Sequence, residues 1–207
     1  MPKRPRWRRR KEARPEEILE AALDVFVERG YAAARLDQVA RHAGVTKGTI
    51  YLYFPSKAAL FKAVVRGSLV VNMERAEAVS AAHRGSAADL LRQFVWTVWR
   101  TVGDTKLSGI PKLIVAEAAN FPEIARFYWS EVASRALGVW SSIIERGIEA
   151  GEFRRVNPRF ATMSGAGPLL FALIFKHSLY PVSGTDFDFH AFIEAHIDTY
   201  LRGLARE

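Results

Sequence analysis

Apolar side chains recur along most of the chain at the three- and four-residue spacing that places them on one face of an α-helix. Residues 36–43 follow this spacing, and Ile50 with Phe54 continues such a face beyond a turn. Gly44 can end the first helix because a left-handed backbone is inexpensive only for glycine, and Thr46 can cap the second helix by accepting a backbone N–H. The pattern therefore predicts two short helices joined by a tight turn, a helix-turn-helix.

Longer helical stretches flank this pair. Residues 16–30 predict a supporting helix, and Ser56 can cap a long helix that runs to about Arg84. The rest of the chain is helical throughout, and its last two long helices fall near residues 158–179 and 188–205. Strand patterns with hairpin turns and internal repeats do not occur. We therefore predict an all-α fold of about nine helices, with an N-terminal three-helix helix-turn-helix domain joined to a larger helical dimerisation and effector domain.

The composition is that of a soluble globular protein, with 49% hydrophobic and 25% charged residues. The longest stretch without charge, Phe160 to Phe175, is shorter than the roughly 20 apolar residues of a membrane-spanning helix, so it predicts a buried helix and no membrane partner. The N-terminus is basic and lacks the apolar stretch of a signal peptide. The absence of cysteine excludes disulfides and thiolate metal ligands. We therefore expect a cytoplasmic protein.

Positive charge is concentrated at the N-terminal end. Residues 1–57 carry 13 Lys and Arg against 7 Asp and Glu, whereas the remainder carries 17 against 15. Residues 1–14 predict a flexible basic arm, in which Arg8, Arg9 and Arg10 would enter the minor groove of DNA or lie along its phosphates. The alternative is a solvated tail that only aids solubility. The uneven charge favours nucleic acid as a partner, because a DNA-binding end must replace the counterions of the phosphate backbone.

The sequence around the predicted turn resembles the DNA-binding domain of TetR-family transcriptional regulators. The resemblance rests on GVTKGTIYLYFPSK (residues 44–57), and it extends through EEILEAALDVFVERGY (16–31) and KAALFKAVV (57–65), about a quarter of the chain. One departure is Arg35, where the family usually has a threonine or serine as a helix cap. Arginine has no acceptor and cannot cap a helix in this way. We expect either a slightly frayed helix start or an Arg35 that contacts phosphate.

This resemblance implies a sequence-specific DNA-binding regulator, usually a repressor, that binds a palindromic operator as a homodimer and responds to a small-molecule effector. Residues 15–60 would form the DNA-binding domain, and residues 61–207 the effector-binding and dimerisation domain. Base-edge and nearby backbone contacts are expected from the outward-facing start of the second short helix, namely Lys47, Thr49 and Tyr51, and Gly48 would allow close approach to the DNA. The expected phosphate contacts are Thr46, Tyr53 and Lys57.

The last two long helices are the expected dimer interface. One recognition helix covers only a few base pairs, so useful specificity requires two copies related by a two-fold axis. Small residues would let helices approach closely, and apolar residues would supply contact area. The predicted interface residues are Gly165, Gly167, Ile193, Ile197, Tyr200 and Leu204.

Aromatic residues are abundant in the C-terminal half, and two interpretations compete. Aromatics at helical spacing are commonly core residues. The resemblance supports instead a cavity between helices in which a hydrophobic or planar small molecule is bound. The predicted ligand-binding residues are Trp96, Trp99, Phe127, Trp140 and Phe171.

The sequence contains no clear catalytic or metal-binding motif. The five histidines lack the pair spacing of a helical zinc site and are expected at the surface or at an interface. No nucleophile elbow is present, so we predict no catalytic residues, no metal and no cofactor. Two rival hypotheses are a sequence-nonspecific architectural DNA-binding protein, whose affinity would fall steeply with salt, and a small-molecule enzyme on a helical scaffold.

Overall fold

A computed structural model describes residues 14–206. The described part is all-α, as predicted, and its α-helices are α1 (Arg14–Ala33), α2 (Leu36–His42), α3 (Lys47–Tyr53), α4 (Lys57–Val65), α5 (Val71–Ala82), α6 (Ala87–Val98), α7 (Gly109–Glu117), α8 (Pro122–Tyr128), α9 (Ser134–Glu149), α10 (Pro158–Ser178), α11 (Tyr180–Ser183) and α12 (Phe189–Leu204).

Short π-helical turns join some of these helices without a break. Residues Arg66–Val70 connect α4 to α5, and Trp129–Ala133 connect α8 to α9. A third π turn, Trp99–Gly103, extends α6, and a 3₁₀ turn, Lys106–Ser108, leads into α7. The long helix predicted from Ser56 is therefore two helices in line, which end at Ala82.

Helix ends agree with the predicted capping chemistry. Gly30 and Gly44 both have positive φ, 77° and 64°, which glycine adopts readily. Gly30 lies inside α1 and breaks its regular helix, so we call residues 31–34, beyond this break, the turn between α1 and α2. Gly44 follows the end of α2. The predicted caps also form, because the side chains of Thr46 and Ser56 accept the backbone N–H groups of Thr49 and Ala59. These local signals fix the breaks between α1, α2, α3 and α4, which together we call the reading unit.

Two hydrophobic cores hold the fold together. We call the first the reading-side core; it joins α1–α4 to α7 and α8 through Phe26, Phe61, Ile110 and Ile124, all at most 1% exposed. The core therefore continues across residue 60, the expected boundary of the DNA-binding domain. The second, which we call the distal core, contains buried residues from α5, α6, α9, α10 and α12.

Helix α10 is apolar on more than its buried side. Thr162, Leu169 and Ala172 face the protein interior, but Phe160 and Phe171 are 71% and 58% exposed. By length and composition alone this helix is long and apolar enough to cross a membrane, and 28% of its most apolar 18-residue segment is buried. The prediction of a buried helix is thus correct for one face only, and the outer face is an apolar surface.

Candidate nucleic-acid interface

Helix α3 presents a polar and aromatic face outside the reading-side core. Ile50 is completely buried and anchors the helix. Lys47 and Gly48 are exposed, and Tyr51 and Tyr53 are 49% and 39% exposed. A short helix held by one buried residue and offering its N-terminal side chains outward has the geometry of a recognition helix in the major groove.

Two threonines at the start of α3 are hydrogen bonded to each other. The Oγ1 of Thr46 accepts the N–H of Thr49 at 3.2 Å, and the two hydroxyl oxygens lie 2.9 Å apart. Only one of the two hydroxyl hydrogens is used between them, so one remains for an outside acceptor. Phosphate contact by Thr46 and base contact by Thr49 remain predictions.

Leu52 is a surface residue that the sequence analysis did not identify. It is 83% exposed between two tyrosines of α3. An exposed leucine on a recognition helix can make the apolar contact that thymine methyl groups offer in the major groove. The sequence did contain a signal for this exposure, because a residue two positions after the buried Ile50 does not lie on the buried face of the helix.

Lys57 does not have the free ammonium group that the prediction of a phosphate contact requires. Its Nζ donates to the backbone oxygens of Tyr31, Ala32 and Ala34 at 2.7, 3.0 and 3.1 Å. It also lies 4.6 Å from the ring centre of Tyr31. Burial lowers the pKa of Lys57, and the nearby charge of Glu117 acts in the opposite direction. Because an ammonium has three donors, this lysine is occupied in holding the turn between α1 and α2.

The start of α2 is not frayed, although Arg35 makes no side-chain cap. The Oε1 of Gln38 accepts the Arg35 N–H at 3.0 Å, which supplies one half of a capping box. The Arg35 side chain is exposed and pairs with Asp37 at 3.3 Å. Its guanidinium remains available to a phosphate. The predicted arm residues Arg8, Arg9 and Arg10 lie outside the described residues.

The five predicted ligand-binding aromatics do not meet in one cavity, which corrects that prediction. Trp99 and Trp140 are buried in the distal core, whereas Phe127 belongs to the reading-side core. The indole N–H of Trp96 donates to Glu194, and Phe171 lies on the outer face of α10. These rings fill cores or surfaces because aromatic side chains bury large apolar areas.

A different cavity, which we call the effector groove, lies between α7, α8, α9 and α10. It has a volume of about 630 Å³ and an almost entirely apolar lining, with Ile114, Val115, Trp129 and Leu170 among its walls. Tyr128 also lines it, and burial raises the pKa of this phenol to about 12. Pockets of this size and character are typical of small-molecule sites.

Four of the predicted interface residues are buried inside the protomer, so they cannot form a surface between two copies. Ile193, Ile197 and Leu204 are at most 3% exposed and pack in the distal core. A Cβ at Gly165 would lie 2.5 Å from Trp140, so this glycine permits close packing within the chain. Tyr200 donates to the backbone oxygen of Ala161 at 2.7 Å and ties α12 to α10.

Gly167 is the predicted interface residue that is exposed on the outer face of α10. Together with Phe160, Ser164 and Phe171 it forms a stripe with the i, i+4, i+7, i+11 spacing of one helical face. We call these four residues the outer stripe. Beside it lies a cleft between α10 and α12, about 640 Å³ in volume, which Arg154 and His196 help to line.

Four of the five histidines make ordinary polar contacts, whereas the Nε2 of His83 is buried without a hydrogen-bond partner among the described residues. Within residues 14–206 no group of His, Asp and Glu has the arrangement of a metal site. The contacts are His42 with Asp24 (3.3 Å), His177 with Ser108 (2.7 Å), His190 with Asp104 (2.8 Å) and His196 with the Gly165 carbonyl (2.8 Å).

Two family models match separate parts of the chain. Residues 18–64 match the family model of bacterial regulatory proteins of the tetR family, and residues 89–184 match that of the C-terminal domain of AefR-like transcriptional repressors. The uncharacterised HTH-type transcriptional regulator YfiR of Bacillus subtilis is 28% identical over 84% of this chain and 87% of its own length.

Solved structures share the fold. A putative TetR-family regulator from Mesorhizobium loti superposes with a TM-score of 0.69 at 23% identity, over 94% of this chain and 96% of its own. The regulator FadR from B. subtilis, in complex with stearoyl-CoA, superposes with a TM-score of 0.67 at 22% identity, over 91% and 98% of the two chains.

Proposed function

The chain is a member of the TetR family of bacterial transcriptional regulators and hence a DNA-binding regulator, and we propose that it is a dimeric repressor released from its operator by a hydrophobic small molecule. We expect it to act in the cytoplasm, bound to a palindromic DNA site, and without catalytic activity.

The exposed face of α3 carries the proposal of sequence-specific binding. Lys47 and Tyr51 project from α3. The N-terminus of this helix is capped by Thr46, and its buried face is anchored in the core by Ile50. Such fixed side chains can discriminate base pairs in the major groove, whereas a purely electrostatic contact cannot. This rigidity favours a regulator over the architectural DNA-binding protein.

Selection of bound sequences from random duplex DNA tests the proposal. We expect a palindromic consensus whose half-sites are about 34–36 Å apart or a multiple of that distance. Affinity for the consensus should exceed affinity for unrelated DNA by about 10³-fold or more at the same salt concentration. Binding without any enriched sequence would support the architectural alternative.

Dimerisation through the outer stripe and the adjacent cleft of α10 and α12 is the second part of the proposal. An apolar stripe exposed on a long helix of a soluble protein marks an interaction surface. A two-fold operator requires a second copy of this chain, and the same face can pair with itself across a two-fold axis. Sedimentation should show a dimer at micromolar concentration, and a monomer would contradict this assignment.

The effector groove is the proposed ligand site, in place of the aromatic cluster. Its volume of about 630 Å³ and apolar lining suit a lipophilic small molecule. The lining also includes two residues with polar groups, Arg126 and Tyr128, which could orient such a molecule. Because FadR was solved with stearoyl-CoA, this acyl-CoA is a sensible first probe.

Tryptophan fluorescence can locate the binding of stearoyl-CoA. Trp129 is 58% exposed and lines the effector groove, whereas Trp99 and Trp140 are buried in the distal core. We expect the probe to change the emission of the wild type but not that of Trp129→Phe, and to reduce operator binding. A response that persists in the variant would place the site elsewhere.

A further inference from the structure

Helix α7 lies between the effector groove and the DNA-reading unit. Ile114, Val115 and Pro111 of this helix line the groove. Its other side packs along α1 so closely that a Cβ at Gly109 would lie 2.5 Å from a methyl group of Val27. Any molecule that enters the groove therefore touches a helix that is in direct contact with the reading unit.

Glu117, the last residue of α7, reaches across to residues 31–34, the turn that follows the break of α1 at Gly30. Its Oε1 accepts the backbone N–H of Ala32 at 2.9 Å. A carboxylate at the C-terminal end of a helix is disfavoured by the helix dipole. The Glu117 carboxylate therefore does not stabilise its own helix. It instead accepts a backbone N–H from the turn between α1 and α2.

The same turn is also held by Lys57. This lysine uses its three donors on the carbonyl oxygens of Tyr31, Ala32 and Ala34, and it lies four residues after the end of α3 at Tyr53. Residues 31–34 therefore connect Glu117, at the end of α7, with Lys57, the first residue of α4. The turn leads directly into α2, and through Lys57 it is tied to the start of α4, the helix that follows α3.

A second polar contact ties the start of α7 to α1. Lys106, the first residue of the 3₁₀ turn that leads into this helix, pairs with Asp24 at 2.7 Å, and Asp24 lies 3.3 Å from His42 of α2. Helix α7 thus runs alongside α1 with a polar contact near each end. The Glu117 end is the one that reaches the turn beside Lys57.

We propose that Glu117 is a positioning residue for DNA recognition, which holds the turn of residues 31–34 in the conformation that orients α2 and α3, and which transmits occupancy of the effector groove to them. The transmission rests on the proposed function of the groove. The positioning role does not, because it depends only on the contacts of the turn.

The chain offers a matched control for this proposal. Glu149 is also the last residue of its helix, α9, and is exposed. Replacing either glutamate by alanine removes the same charge from the same type of helix end. Only Glu117→Ala removes a contact with the reading unit.

The test compares the full-length variants Glu117→Ala, Glu117→Gln and Glu149→Ala by fluorescence anisotropy on the selected operator and on unrelated DNA, with thermal unfolding measured in parallel. We expect Glu117→Ala to weaken operator binding at least about five-fold, the lower end of typical coupling, with unchanged affinity for unrelated DNA. Glu117→Gln should recover most of the loss, because its amide oxygen can still accept the Ala32 N–H. Glu149→Ala should bind like the wild type.

Equal operator affinity of Glu117→Ala and Glu149→Ala would overturn the proposal, as would an equal loss on operator and unrelated DNA. If Glu117→Ala fails to fold, Glu117→Asp decides the question, since it keeps the charge but withdraws the carboxylate by one methylene. Stearoyl-CoA should release wild-type protein from the operator more than it releases Glu117→Ala. Absence of release from the wild type would refute the effector role of the groove with this probe, while the operator affinities would still decide the positioning role.

Discussion

Two aspartate substitutions on neighbouring helices should have different effects on folding and on dimerisation. Comparing them distinguishes a residue of the protomer core from a residue of the proposed dimer surface. Ile197 of α12 is 2% exposed in the distal core, whereas Phe171 of α10 is 58% exposed on the outer stripe. We expect Ile197→Asp to unfold the protomer and Phe171→Asp to leave it folded but monomeric.

The magnitudes follow from burial. Truncation of a buried isoleucine to alanine alone costs about 2–5 kcal/mol, and the aspartate adds the cost of an unpaired buried carboxylate. Together these approach the total stability of a typical domain, about 5–15 kcal/mol. Phe171→Asp should change the stability of an isolated protomer by only about 0.5 kcal/mol, but in the proposed dimer it would place two like charges in the interface.

Sedimentation velocity and far-ultraviolet circular dichroism at 25 °C provide the assay. Helical content is a better readout than a melting temperature, because loss of a dimer lowers the apparent stability by mass action alone. Exposed Val182, on the short helix α11, supplies the control Val182→Asp. A folded monomer from Ile197→Asp, or a dimer that persists in Phe171→Asp, would refute the assignment of these faces.

Three further predictions concern the reading unit and the pH dependence of stability. Lys47→Ala and Tyr51→Ala should each weaken operator binding by about 1–3 kcal/mol with normal helical content, as measured by anisotropy and circular dichroism; unchanged affinity for both would mean that the recognition surface is elsewhere. Thr46→Ala should cost about 0.5–2 kcal/mol in urea unfolding, because it removes the cap of α3, and an unaltered midpoint would contradict this role. Burial lowers the pKa of His177 below 6.5, with help from the charges of Lys176 and Lys112, so the folded state binds this proton less readily than the unfolded state; the wild type should therefore lose stability as the pH falls below about 6.5, and His177→Gln should flatten that part of the unfolding profile.

The sequence predicts the reading unit well because its signals are local. Gly44 needs a positive φ and Thr46 needs only the N–H of a residue three positions away, so both could be predicted without knowledge of the tertiary fold. The position of Ile50 in the core follows from helical periodicity. Each of these features depends on neighbours within one or two helical turns.

The errors arise where a residue has two possible partners. The apolar stripe of Ile193 and Ile197 could face the same chain or a second copy, and periodicity is identical in the two cases. The missed signal was on α10, where Phe160 and Phe171 are apolar on the side opposite Leu169. A helix that is apolar on several sides needs more than one covering surface.

Lys57 illustrates contacts that the sequence cannot reveal. Its place at the start of α4 fits a phosphate-binding lysine, and nothing nearby in the sequence indicates another partner. Its actual acceptors come from residues 31–34, more than 20 positions earlier. The Glu117 contact with Ala32 spans 85 positions. Such contacts follow from the packing of α7 on α1, and local patterns do not encode that packing.

The free energy of the Glu117 hydrogen bond can be compared with the coupling free energy by which an effector weakens DNA binding. An effector can shift DNA binding only by its differential affinity for two arrangements, typically about 1–3 kcal/mol. A partly exposed hydrogen bond to a carboxylate contributes about 1 kcal/mol, and a two-fold dimer contains this contact twice. Ile110 and Leu113 keep α7 anchored in the reading-side core, so a small shift of its C-terminal end can break the polar contact without exposing the apolar one.

Because coupling between two binding sites is reciprocal, the coupling between effector and DNA can be checked without knowing which residues transmit it. If stearoyl-CoA lowers operator affinity by some factor, the operator must lower stearoyl-CoA affinity by the same factor. Titration of Trp129 emission with and without operator DNA measures the second factor, and anisotropy measures the first. In Glu117→Ala both factors should fall together toward one. A large factor in one titration and none in the other would mean that the probe releases DNA without binding in the effector groove, for example by competing directly for the basic face of the reading unit.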